Sequence, residues 1–139
     1  MIGSSAIGTP AQRALVASFL RFGVVGASGF LVDTAVVYAT KGALGLNGAG
    51  IPAYIAAATW TWAFNRWWTF RGQGSGPMWR QWLRFLGANM MGFVLNRGAY
   101  FLLIAFSQTC RDYPVIAVGA GAVAGMFANF VASRRLVFR

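Results

Sequence analysis

Apolar residues run along this chain in four long stretches, with polar and charged residues gathered between them. The stretches cover about residues 22–40, 52–70, 85–107 and 114–133. Each is long enough to cross a hydrocarbon core, which takes roughly 20 helical residues. Continuous apolarity over that length predicts helices, since a barrel strand alternates and is far shorter. Pro52 and Pro114 fall at span starts, where a missing N–H costs nothing. The connections beginning near Lys41 and Gln108 are short, so consecutive spans are expected to form helical hairpins. Residues 1–18 are small and polar, carry Arg13 as their one charge, and lack the basic-then-apolar order of a cleavable signal. They are expected to form a flexible cytoplasmic tail ahead of a transmembrane domain over 19–139. The expected fold class is all-α, an integral membrane protein with four transmembrane helices and no separate extramembrane domain.

Composition agrees. Of 139 residues, 58% are hydrophobic and only 10% charged, whereas a soluble domain carries about 25% charged residues. A water-soluble globule of this size could not hide so much apolar surface, and disordered chains are poor in such residues. With no His, one Cys (Cys110) and two acids (Asp33, Asp112), no metal set can be assembled from the usual ligands, and no cofactor is expected. The two acids lie in very different contexts, which argues against a paired-carboxylate site, and no enzyme chemistry is expected.

The net charge of +10 would suit a nucleic-acid partner, but its distribution excludes that reading. Arg13, Arg21, Arg66, Arg71, Arg80, Arg84, Arg134, Arg135 and Arg139 lie before the first span, around the loop joining spans two and three, or at the C-terminus. Only Lys41 and Arg111 lie in the two opposite loops. This asymmetry is the positive-inside pattern and puts both termini and the middle loop in the cytoplasm. Trp67, Trp68, Trp79 and Trp82 sit beside these arginines, as an interfacial belt in contact with membrane lipids would.

The chain also reads as two copies of one unit. Phe19-Leu20-Arg21-Phe22 matches Trp82-Leu83-Arg84-Phe85 at an offset of 63, which also carries Gly29 onto Gly92 and Asp33 onto Asn96. Beyond the hairpin loop the offset is 68 and aligns Asn65-Arg66-Trp67-Trp68-Thr69-Phe70-Arg71 with Ser133-Arg134-Arg135-Leu136-Val137-Phe138-Arg139. Two hairpins that each start and end in the cytoplasm are expected to be parallel repeats related by an axis along the membrane normal. The second helix of each copy has a stripe at four-residue spacing: Ala53, Ala57, Thr61, Asn65, and Gly121, Gly125, Asn129, Ser133. Small residues at that spacing let helices approach closely. The polar ends, Thr61 and Asn65 with Asn129 and Ser133, either pack helices or line a head-group entrance.

Two ionised side chains fall inside spans. At about 1.5 Å per residue, Asp33 lies roughly 18 Å above Arg21 and Arg97 roughly 20 Å above Arg84, so they share a depth. Each costs about 2.5–3.5 kcal/mol at a helix centre, and such residues rarely face lipid. Asn89 and Asn96 share one face of the third span, with Arg97 flanking it. Three readings stand open. Asp33 and Arg97 form a structural pair; or Arg97 draws in an anionic substrate group, its fork suiting phosphate, while Asp33 holds it otherwise; or Asp33 takes up a proton.

Phe19 to Gly26, Asp33, Phe64-Asn65-Arg66-Trp67-Trp68-Thr69-Phe70, the repeated Arg84-Phe85, and Asn129-Phe130 with Ser133 to Phe138 together resemble the GtrA-like family. The family comprises small four-helix bacterial inner-membrane proteins of surface polysaccharide and O-antigen modification. The resemblance implies flippase-type translocation of a polyprenyl-phosphate-linked sugar to the outer leaflet, often alongside a glycosyltransferase that makes it. On that reading Arg66 and Arg134 collect the phosphate at the cytoplasmic mouth and Arg97 receives it at depth. Asn65, Asn89, Asn96, Asn129 and Asp33 complete the polar path. Four short helices enclose little volume, so a homo-oligomer is expected. Two other functions compete: a non-transporting scaffold that anchors a glycosyltransferase, and a small proton-coupled exporter, against which Arg97 at the depth of Asp33 argues.

Overall fold

A computed structural model describes residues 8–139, and every regular element in it is helical. The order is α1 (Pro10–Phe64), a π-turn (Asn65–Thr69), α2 (Met78–Phe106), the short α3 (Gln108–Asp112), α4 (Pro114–Ala132) and a second π-turn (Ser133–Val137). The chain divides into two compact units, Met1–Gly72 and Gln73–Arg139.

In the first unit α1 is two limbs joined at Gly45, whose φ of 71° and ψ of 171° break the helix. Only glycine takes that conformation without a Cβ penalty. The returning limb therefore starts well before Pro52, which lies inside the helix and not at its start as expected from sequence. Thr9 and Gln12 set the other end. The Thr9 hydroxyl accepts from the Gln12 N–H at 3.2 Å and the Gln12 side chain accepts from the Thr9 N–H at 2.8 Å. This capping box, with Pro10 in the first turn, starts the helix inside the stretch expected to be a tail. Residues 1–7 of that expected tail lie outside the described residues.

The returning limb runs antiparallel to the first. Phe70 packs edge-on against Phe22 with ring centres 6.2 Å apart, Trp60 Nε1 donates to Ser28 Oγ at 3.0 Å, and Thr61 lies against Gly29. In the second unit α4 returns along α2 in the same way. Phe138 packs edge-on against Phe85, again at 6.2 Å, and Asn129 lies against Gly92. Pro114 opens α4, as its sequence position predicts. Arg111, counted from sequence only as a loop charge, closes α2 by donating to the carbonyls of Ile104 at 2.9 Å and Ala105 at 3.0 Å. A cation at this end also suits the helix dipole.

Among the described residues, three helices are long and apolar enough to cross a membrane: Pro10–Gly45, Met78–Phe106 and Val115–Val137. The expected span at 52–70 is not among them. Its helix ends at Phe64, and Thr59, Trp60, Thr61 and Trp62 dilute its hydropathy.

Candidate functional site

Each unit ends in the same backbone device. The Phe70 N–H donates to the Asn65 carbonyl at 2.8 Å and the Phe138 N–H to the Ser133 carbonyl at 2.9 Å, both reaching five residues back. The wider turn tucks Phe70 and Phe138, each 1% exposed, under their own units against Phe22 and Phe85. The arginines of the turns stay further out: Arg66 is half-buried, and Arg134 and Arg135 are exposed. Exposed Trp67 and Trp68 flank Arg66, and the Arg21 guanidinium lies 5.7 Å from the Trp68 ring centre. Turns of this kind recur at functional sites.

The small-residue stripes lie along the seams of the hairpins. In the first unit Ala53 and Asn65 are buried, while Ala57 and Thr61 meet Gly29. In the second the approach is closer. A Cβ added at Gly121 would sit 2.7 Å from the Asn96 carbonyl oxygen, and one at Gly125 2.9 Å from that of Gly92. Both distances are too short for a real side chain, so α2 and α4 touch backbone to backbone there.

The second seam is also the more polar. Asn96 stands against Gly121 and Gly125, and Asn129 against Gly92. Asn89, one turn before Gly92, is half-buried beside them. The structure thus brings the amides at 96 and 129 onto one seam. Arg97 lies one step around α2 and is exposed, its guanidinium 5.6 Å from the centre of the Phe93 ring one turn back. Helical side chains lean towards the N-terminus, so Arg97 reaches back along α2 in the direction of Arg84. Asp33 is half-buried in the first unit, one turn beyond Gly29.

These features belong to a recognisable domain, because the GtrA/DPMS transmembrane-domain family matches residues 21–138. The chain belongs to that family. No curated protein matches it. GtrA-family proteins are generally non-catalytic membrane proteins, and the GtrA/DPMS domain points to lipid-linked sugar translocation or polysaccharide synthesis. The groups on the seams of this GtrA/DPMS domain, amides and hydroxyls, suit that chemistry, with the arginines lying beside the seams and on the turns.

Sequence reasoning missed two bonds that set the character of the first seam. Thr69 Oγ1 donates to Asn65 Oδ1 at 2.7 Å inside the first turn, and Trp60 is tied to Ser28, whose hydroxyl donates to the Val25 carbonyl at 2.6 Å. The signal for the first was present, since Asn65 and Thr69 are four apart on one helical face. Nothing in the sequence singles out Ser28 as the partner of Trp60.

Proposed function

We propose that this GtrA/DPMS protein moves a polyprenyl-phosphate-linked sugar across the bacterial cytoplasmic membrane, for cell-surface polysaccharide or O-antigen modification. The observation that supports this best is Arg97, a guanidinium well inside a helix fit to cross the bilayer, next to the amide seam of Asn89, Asn96 and Asn129. A lipid-linked substrate keeps its tail in lipid, so the protein must shelter only the phosphate and sugar. Arg97 suits the phosphate, since its fork stays charged and binds bidentately. Arg66 and Arg134, each in the terminal turn of its own unit, collect the phosphate at the cytoplasmic face.

The returning limb of α1 crosses the membrane as a fourth span, paired along its length with the first limb. Both termini and the Arg71–Arg84 segment face the cytoplasm, in keeping with the arginine asymmetry. The recurrence of the Phe22–Phe70 contact as Phe85–Phe138, and of Gly29–Thr61 as Gly92–Asn129, supports reading the hairpins as copies of one unit. A glycosyltransferase that makes the lipid-linked sugar is the natural partner, and a homo-oligomer supplies the volume that one chain of four short helices lacks.

The test is translocation of defined lipid-linked sugars in liposomes containing only this protein. Wild type should transport. Protein carrying both Arg97→Gln and Asp33→Asn should fold but fail to transport, because neither span then carries a charge that is costly in the bilayer while the phosphate site is gone. Wild-type rates in that variant would make Arg97 structural and move the phosphate site to Arg66 and Arg134. No transport by wild type would favour a scaffold for a glycosyltransferase. Labelling of single cysteines in the Arg71–Arg84 segment by an impermeant reagent from outside intact cells would overturn the topology.

A further inference from the structure

The two seams differ in one respect that the repeat does not predict. In the first unit the stripe hydroxyl and amide are satisfied internally: Thr61 Oγ1 donates to the Ala58 carbonyl at 3.1 Å, and Asn65 Oδ1 accepts from Thr69. In the second unit the equivalent atoms, Asn129 Oδ1 and Ser133 Oγ, are buried and have no hydrogen-bond partner. Ser133 is 1% exposed, and Val137 takes the place of Thr69. Buried polar atoms are nearly always paired, and leaving one unpaired costs more than an average hydrogen bond returns.

Position gives these atoms a common address. Asn129 and Ser133 are four apart on one face of α4 and its π-turn. Along α4 they lie at and just beyond the Gly92 contact, and before the Phe85–Phe138 contact that closes the end of the unit. Between those contacts α2 offers the small buried side chain of Ala88, with Asn89 half-buried next to it. An amide oxygen and a hydroxyl that lack partners call for a ligand rich in O–H donors.

We infer that the second hairpin alone carries a sugar subsite, in which Asn129 Oδ1 and Ser133 Oγ accept hydrogen bonds from hydroxyls of the substrate's head group. This rests on the translocation reading above and assigns the sugar, as distinct from the phosphate, to the α2–α4 seam. The first hairpin, its stripe already satisfied, carries no such sugar subsite. Entry of the sugar requires the Gly92–Asn129 contact to part, which a glycine facing an amide permits without unlocking interdigitated side chains.

The experiment compares binding to the full chain in nanodiscs. The probes are citronellyl phosphate and citronellyl phosphates carrying glucose, mannose or arabinose. Wild type should prefer at least one sugar-bearing probe over the bare phosphate. Ser133→Ala and Asn129→Ala should each reduce that preference by roughly three- to tenfold, the worth of one hydrogen bond, and leave bare phosphate binding intact. Ser133→Ala should also raise the melting temperature, because it removes an unsatisfied buried hydroxyl. Ser28→Ala, which strips a partner from Trp60, should lower the melting temperature and leave the preference unchanged. Retained preference in both Ser133→Ala and Asn129→Ala would overturn the subsite and assign these atoms to buried water. Equal binding of all four probes by wild type would overturn the subsite while leaving phosphate-driven translocation standing. Binding of none would overturn both.

Discussion

The two hairpins share a skeleton and differ in how they satisfy their polar atoms. Both close with a phenylalanine pair at 6.2 Å and a five-residue backbone turn, and both meet at a glycine partway along the seam. The first then fills its seam with a threonine, a bonded asparagine and a tryptophan tied to a serine. The second brings backbones into contact at Gly121 and Gly125 and leaves an amide oxygen and a hydroxyl unbonded. The skeleton is thus what the fold needs. The seam is where one hairpin departs from the other, and the departure leaves the second hairpin worse satisfied. Proteins accept such local costs mainly where a site requires them.

The largest expected effects test the shared skeleton. Phe70→Ala and Phe138→Ala each remove a ring that is 1% exposed and should each cost about 3–5 kcal/mol of stability, measured by thermal unfolding in detergent. Because the two rings occupy equivalent pockets, the two losses should agree closely. A loss at one site only would show that the phenylalanine pairs are alike in geometry but not in load.

Next come the seams. Gly121→Val drives a branched side chain into the Asn96 carbonyl oxygen and should cost about 1–3 kcal/mol, the range of overpacked cores, towards its upper end because backbone cannot yield as a side chain can. Gly98→Ala, on the same unit but with open space around it, should be neutral or slightly stabilising through helix propensity. Equal effects at both positions would mean that α2 and α4 do not touch at Gly121.

Much of this arrangement was legible in the sequence, and the illegible part has identifiable physical reasons. Four-residue spacing put Gly121, Gly125, Asn129 and Ser133 on one face, and the structure uses that face as the seam. Arginine clustering marked the ends of both units, with tryptophans beside it at the first, because the residues that favour an interface are distinctive. The start of α1 was also written plainly, as Thr9-Pro10-Ala11-Gln12, a capping box hidden in a stretch that composition alone marks as a tail. Pro52 misled, since a proline near an expected span start suits the first turn, while the actual break belongs to Gly45 and its positive φ. The π-turns were not visible, because a bond reaching five residues back needs no special side chain. Nor were the unbonded atoms of Asn129 and Ser133: a sequence shows where a polar residue stands but not whether a neighbour reaches it.

Thr69→Val sharpens the contrast from the first unit. It removes the donor that Asn65 Oδ1 now has at 2.7 Å and copies the valine of the second unit into the first. Asn65 is 1% exposed, so the oxygen left behind should cost about 1–3 kcal/mol. Sugar binding, which belongs to the second hairpin, should be unchanged. A variant as stable as wild type would show that the Asn65–Thr69 bond is not what distinguishes the seams.

Val137→Thr makes the reverse exchange and is the smallest effect. Val137 is 2% exposed and stands where Thr69 stands in the first unit, at the end of a turn with the same backbone bond. Threonine matches valine in shape, so the change adds no volume but buries a hydroxyl, which costs unless it is bonded. The geometry of the first unit supplies that bond: a threonine hydroxyl at this place donates to the side-chain oxygen four residues back, here Ser133 Oγ. One hydrogen bond formed and one orphan removed should more than offset the cost of burial, for a net gain of about 0.5–1.5 kcal/mol. The same bond occupies the hydroxyl assigned to the sugar, so the preference for sugar-bearing probes should fall as the melting temperature rises. Stability and recognition moving in opposite directions is the signature of a site kept unsatisfied for its ligand. If Val137→Thr raised stability and left sugar preference intact, Ser133 would be a flaw in the packing of the second copy and Asn129 alone would remain to hold the sugar.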